Sequence, residues 1–121
     1  MSNSDTSRFE RRNTVDEKIR RIYCPMTESG FYILFCLQNE MHGYDITRRV
    51  RELSGGEVVI SPGTMYGSLS KMEKDGLIRP TREEDKRKFY RATELGLQVL
   101  AIEMLRIERL YQNSKGEIWN G

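Results

Sequence analysis

The sequence predicts a mainly α domain with a small β-hairpin, flanked by an N-terminal and a C-terminal helix. Three observations predict it. Three successive segments carry apolar residues at helical spacing, each closed by Pro or Gly; two short runs flank a charged turn; and a last amphipathic stretch bears two apolar stripes.

A chain of 121 residues has the length of one domain with a modest core and leaves no room for a second, catalytic one. Apolar residues make up 37% and charged residues 31%, and the apolar runs are interrupted within a few positions. Neither a membrane span nor a signal peptide can be placed, so a cytoplasmic protein without membrane partners is expected. Cys24 and Cys36, with the single histidine His42, make no zinc set of ordinary spacing. Free thiols, no metal and no cofactor are the expectation. The same residues argue against an enzyme, because the cysteines and serines have no base in sequence except His42.

Taken in order, residues 1–12 open on the polar, aperiodic run Met1–Thr6 and are expected to be a disordered tail. Residues 13–26 hold an amphipathic helix, with Val15, Ile19, Ile22 and Tyr23 on one stripe and Pro25 as its stop. Thr27 caps a helix from about Glu28 to Asn39, apolar nearly all round and therefore the core helix. His42-Gly43 breaks the chain before Tyr44–Leu53, where Ile46, Val50 and Leu53 face inward and Arg48, Arg49 and Arg51 outward. Gly55-Gly56 ends that helix, and Glu57–Ile60 suits a brief strand or an extended linker. A third helix starts at Pro62, with Ser61 as N-cap, and runs to about Asp75, with Gly76 just past its end. Leu77–Thr81 and Lys86–Arg91 are two strands joined by Arg82-Glu83-Glu84-Asp85. Thr93-Glu94 opens the last helix, which continues to about Gln112.

Helix, helix, helix, hairpin, long helix is the layout of a winged helix-turn-helix, occupying residues 27–92, with a dimerisation helix and tail over 93–121 and an N-terminal helix over 13–26 expected to add to the dimer contact. Such a domain offers its third helix to the major groove of double-stranded DNA, N-terminal residues first. Here that turn reads Ser61-Pro62-Gly63-Thr64-Met65-Tyr66-Gly67-Ser68. Small residues let the helix seat deeply, and its free N–H groups favour a phosphate. Ser61, Thr64 and Ser68 can donate to phosphates or bases, Tyr66 can reach a phosphate or a sugar, and Lys71 follows one turn on. Lys86, Arg87 and Lys88 after the hairpin turn, with Arg82 before it, make a basic wing, although Glu83, Glu84 and Asp85 could pair with them or hold them off DNA. Tyr44, Arg48 and Arg49 are expected as backbone clamps. Charge follows this division: from Ser61 to Ala92 there are eight Lys/Arg against five Asp/Glu, and from Thr93 onward three against four. His42, lacking a companion ligand, is expected to be structural or capping.

In the last helix Leu97, Leu100, Met104, Ile107 and Tyr111 follow a 3-4-3-4 seam, while Leu95, Val99 and Ile102 form a second stripe. One stripe covers the domain itself and the other calls for a second copy, and the seam of Leu97, Leu100, Met104, Ile107 and Tyr111 is the expected dimer interface. A two-fold dimer would present two third helices to a pseudo-palindromic site.

The strings Met41-His42-Gly43-Tyr44-Asp45-Ile46, Ile60-Ser61-Pro62-Gly63-Thr64-Met65-Tyr66, Leu69–Ile78 and Arg87–Gly96 resemble the PadR family of bacterial transcriptional regulators over about Thr27–Leu105. The resemblance implies a homodimeric winged helix that represses through an inverted-repeat operator, touching DNA with the third helix and the wing. The short tail is similar to the compact subgroup with one C-terminal helix. Family members often release DNA on binding phenolic or drug-like compounds, and some compact members hold flat aromatic ligands between tryptophans of the last helix. This chain has no tryptophan there; Trp119 lies beyond it, so Met104, Ile107 and Tyr111 would line something different. The competing expectation is a winged-helix protein-interaction module that never reads DNA directly, which would tolerate loss of Arg87 and Lys88.

Overall fold

The computed structural model describes residues 15–121, so the expected tail over 1–12 lies outside the described residues. The elements are α1 over residues 15–23, α2 (Glu28–Cys36), β1 (Met41–His42), α3 (Gly43–Leu53), α4 (Pro62–Lys74), β2 (Ile78–Glu84), β3 (Arg87–Ala92) and α5 (Glu94–Ser114). The chain divides into two compact units. One is Thr27–Leu100; the other comprises residues up to Met26 together with Ala101–Gly121.

In the first unit each helix starts where a side chain satisfies the free N–H groups of its first turn. Thr27 Oγ1 accepts from Gly30 N–H at 3.0 Å, and Ser61 Oγ accepts from Thr64 N–H at 3.2 Å, with Pro62 at the first helical position. His42 caps α3, its Nδ1 accepting from Asp45 N–H at 3.4 Å. α2 stops at Cys36, three residues earlier than its apolar pattern predicts, and residues 37–39 close in tighter turns, with Gln38 N–H donating to Phe35 O and Asn39 N–H to Cys36 O. Gly76, at φ 78°, ends α4 by letting Leu77 N–H reach back to Met72 O at 2.9 Å.

The hairpin differs from expectation. The strands extend through Glu84 and from Arg87, and only Asp85 and Lys86, at φ 52° and 66°, form the turn. A two-residue loop with both φ positive has the backbone twist that matches twisted strands, so Glu83 and Glu84, expected in the loop, become strand residues while Asp85 stays in the turn. Glu83 then lies opposite Lys88 and Glu84 opposite Arg87, and a bulge interrupts the register between Pro80 and Arg82. A third strand was not expected: β1 pairs with β3, Met41 opposite Tyr90 and His42 opposite Phe89, giving the order β1-β3-β2. Residues 57–60 form no strand, and Ile60 is the buried anchor of an extended linker.

Ile33 and Leu34 from α2 with its C-cap Leu37, Ile46 and Val50 from α3, Met65, Leu69 and Met72 from α4, and Val99 and Leu100 from α5 make the core. Leu53, expected inward, is 40% exposed as the last residue of α3, where helical periodicity no longer fixes the face a side chain turns to the core. Leu100, expected on the partner-facing seam, is 2% exposed and belongs to this core. It lies one residue after Val99, so the inward stripe of α5 widens to take both.

In the second unit the fully buried carboxylate of Glu103 accepts from Met26 N–H at 3.3 Å and from Arg106 Nε and Nη2 at 3.0 and 2.9 Å. Cys24 also hydrogen-bonds to it, and burial together with that contact pushes the thiol up to about 11.

Candidate nucleic-acid interface

The start of α3, the exposed face of α4 and the β2–β3 turn surround a half-open cleft of about 260 Å³. Leu69 and Gly43 lie at its base, Tyr44, Tyr66 and Tyr90 line it, and Lys86, Arg87 and Lys88 contribute its basic side. Gly43 fits because α3 starts close against α4: a Cβ there would stand 3.2 Å from Met65 Cγ. Tyr44 and Tyr66 are about two-thirds exposed, which for residues of this size marks a surface left open for contact.

Sequence-predicted residues fall into three groups. Tyr44, Tyr66, Lys86, Arg87 and Lys88 are brought together in the cleft. Ser61, Pro62, Gly63, Thr64 and Lys71 are exposed on α4, and Ser68 is half-buried there. None of the ion pairs among the described residues engages Lys71, Lys86, Arg87 or Lys88, so these four ammonium and guanidinium groups are not neutralised within the domain. Ser61 and Thr64 are partly spent on each other, with Ser61 Oγ donating to Thr64 Oγ1 at 3.0 Å.

The third group is engaged internally. Arg48 donates to Asp45 Oδ1 at 3.1 Å and lies over the Tyr44 ring at 5.7 Å, while Arg49 pairs with Glu52 at 3.6 Å. These are exposed pairs of the kind that exchange readily with solvent or phosphate. Arg82 is different. Its Nε donates to Glu40 Oε1 at 2.8 Å, its Nη1 to Glu84, and its guanidinium lies 3.8 Å from the centre of the Phe89 ring. Of the two alternatives the sequence leaves open for the wing, Arg82 follows pairing with an acid, Glu84, and adds a pair with Glu40 that the sequence does not suggest. The hydrogen bond from Arg82 holds the Glu40 carboxyl below its usual value.

Two participants escaped the sequence. Glu40 looks like any exposed loop acid, and its pairing with Arg82 spans 42 positions. Tyr90 enters the cleft because strand pleating turns it to the side opposite Phe89.

A three-helix core whose capped last helix, α4, stands beside a hairpin carrying Lys86, Arg87 and Lys88 near its tip is a winged helix-turn-helix. The chain belongs to the transcriptional regulator PadR-like family, a model of which matches residues 33–102. It is 37% identical over 81 residues to the transcriptional regulator Rv3488 of Mycobacterium tuberculosis, covering 64% of this chain and 73% of that protein. Among solved structures it is similar to Bacillus subtilis PadR in complex with operator DNA, at 32% identity and a TM-score of 0.58, over 68% of this chain and 49% of that one. A transcriptional regulator from Clostridium thermocellum shares the fold at a TM-score of 0.65, with 24% identity over 82% of this chain and 93% of that one. The chain spans 20% and 38% of the length of two other curated relatives that it matches.

Proposed function

We propose that this protein is a sequence-specific, DNA-binding transcriptional regulator. Its partner is an operator in double-stranded DNA, approached by α4 and the wing. The observation that carries this reading is the cleft, which sets the aromatic side chains of α3 and α4 against the wing cations Lys86, Arg87 and Lys88. Lys86, Arg87 and Lys88 neutralise backbone phosphates, Tyr44 and Tyr66 hold the sugar-phosphate chain, and the exposed turn Ser61–Thr64 enters the major groove with Ser68 and Lys71 behind it. Arg48 and Arg49 reach phosphates by leaving their weak intrahelical pairs. The family's character as regulators, and the operator complex of the Bacillus subtilis relative, support the same assignment.

The protein works as a homodimer in the cytoplasm, represses, and lets go of an inverted-repeat operator when a small aromatic or drug-like effector binds. The exposed apolar residues Leu97, Met104, Ile107 and Tyr111 on α5 favour the dimer, and no described helix is long and apolar enough to cross a membrane. Fluorescence anisotropy against DNA upstream of its own reading frame and a shuffled duplex, in a salt series, tests the reading. Tight, salt-dependent and selective binding is expected; equal, weak binding to both duplexes would favour a protein-interaction module.

A further inference from the structure

The wing is joined to the helical body by little backbone pairing. β1 offers β3 only two residues, Met41 and His42, and Ala92 N–H donates to Leu37 O at 2.7 Å; toward its turn at Asp85-Lys86 the hairpin faces α3 and α4 across the cleft, with no backbone bond to them among the described residues. A free hairpin tip is a poor platform for cations that must meet phosphates at fixed positions, unless side chains restrain it.

Arg82 is placed to supply that restraint. It sits on β2 immediately after the bulge, opposite Phe89 on β3. Its guanidinium contacts three different partners: Glu40, which directly precedes β1; Glu84, two residues along β2; and the face of Phe89. Phe89 in turn meets the His42 ring edge-on at 5.0 Å, and His42 caps α3. One planar, fork-shaped cation thus links the hairpin to the turn before β1 and, through Phe89 and His42, to the start of α3. Lysine, a point charge on a flexible stem, cannot make that set of contacts together. The same arrangement accounts for one acid of the wing: Glu84 is occupied by Arg82, and Arg87, which lies opposite Glu84, pairs with no acid among the described residues.

We propose that Arg82 is a positioning residue that braces the wing through Glu40 and Phe89, fixing where Lys86, Arg87 and Lys88 meet DNA, without itself contacting a phosphate. This rests on the DNA-binding reading above. The pairs are exposed, so the brace adds little to global stability and its loss leaves a folded protein.

The deciding variant is Glu40→Gln, because it removes a negative charge near DNA. If Arg82 were a phosphate contact restrained by Glu40, the variant would bind more tightly. A brace predicts the opposite sign: affinity for upstream duplex falls by about threefold or more, Arg82→Lys falls similarly, and Glu40→Gln with Arg82→Gln together falls no further than Arg82→Gln alone. The salt slope stays at the wild-type value in all of these, whereas Arg87→Ala lowers it by about one. In the free proteins, amide exchange across the β1–β3 pair speeds up in Glu40→Gln and Arg82→Lys. Tighter binding by Glu40→Gln, a salt slope lowered by Arg82→Gln, or unchanged β1–β3 exchange each overturns the brace. Should the wild type bind neither upstream nor shuffled duplex, it is the DNA-binding reading that falls, and the exchange measurement alone then decides whether Arg82 braces the hairpin.

Discussion

The carboxylate of Glu103 and the guanidinium of Arg106, one helical turn apart on α5, meet through two hydrogen bonds although Glu103 has no solvent exposure. Burial by itself would push the Glu103 carboxyl up. Arg106, the Cys24 thiol and the Met26 N–H together hold it below its ordinary value of 4.5. A carboxyl depressed in the folded state contributes stability that is present above its unfolded value and lost as pH falls through the folded one. Thermal unfolding followed from pH 7 to pH 3 is therefore expected to show an acid loss that begins below about 4.5 and is shallower in Glu103→Gln. Arg106→Ala should cost about 2–3 kcal/mol at neutral pH, at or below the low end for breaking a buried pair because the guanidinium is partly exposed. It should also reverse the sign, gaining relative stability as acid neutralises the stranded carboxyl. Parallel acid limbs in all three proteins would deny Glu103 this role.

The same carboxylate governs Cys24. A thiol at about 11 is almost wholly protonated at neutral pH, held there by burial and by its contact with Glu103. Since only the thiolate attacks, iodoacetamide should alkylate Cys24 about a hundredfold more slowly than an unperturbed thiol at pH 7.5, and the rate should still be climbing at pH 10. Glu103→Gln, which removes the negative charge opposing ionisation, should speed the reaction. Fast labelling of the native protein at neutral pH would instead make Cys24 a plausible oxidation sensor.

What the sequence disclosed and what it hid divide along a physical line. Ser61, Pro62 and Gly76 mark the ends of α4 because caps and breakers act through their own backbone, and the stripe of Ile46 and Val50 names its face because burial repeats with the helix. β1 left no trace, since two residues cannot display a period, and Met41 and His42 become a strand only when β3 lies beside them. The wing cations were legible as charge, but the pairing of Arg82 with Glu40 was not, because it depends on a bulge and a turn that bring together residues far apart in the chain. Glu103 was hidden for a related reason: on α5 it reads as one solvated acid among several, and its partner N–H is 77 positions away.

Two glycines give opposite expectations. An added Cβ at Gly67 on α4 meets nothing within 4 Å, so Gly67→Ala should stabilise the free protein by about 0.5–1 kcal/mol, the ordinary gain of alanine over glycine in a helix. It also adds a methyl group to the face proposed to enter DNA, and affinity should drop while the melting temperature rises. At Gly96 a Cβ would lie 2.1 Å from the Leu77 carbonyl oxygen, so Gly96→Ala should cost about 3 kcal/mol by forcing α5 off the end of the hairpin. Chemical denaturation of both variants, with anisotropy for Gly67→Ala, checks the pair. A Gly67→Ala protein that is more stable and binds DNA as well as wild type would remove that face from the interface.

The apolar residues of α5 can be sorted by substitution into those that serve the chain itself and those left for a second copy. Leu100 is 2% exposed, so Leu100→Ala should lower stability by about 2–4 kcal/mol through the cavity it leaves, without changing the oligomeric state of the folded fraction. Ile107 is 39% exposed within the chain, and with Met104 and Tyr111 it keeps the seam that a second copy would cover. Ile107→Asp places an unpaired carboxylate in that seam, and if the proposed dimer forms there, sedimentation should show a dimeric wild type and a monomeric variant at the same concentration. Because a monomer engages only one half of an inverted repeat, Ile107→Asp should lose most of its operator affinity while a single half-site duplex binds as before. A dimer that persists in Ile107→Asp would assign the contact to some other surface and leave the exposed face of α5 without its proposed partner.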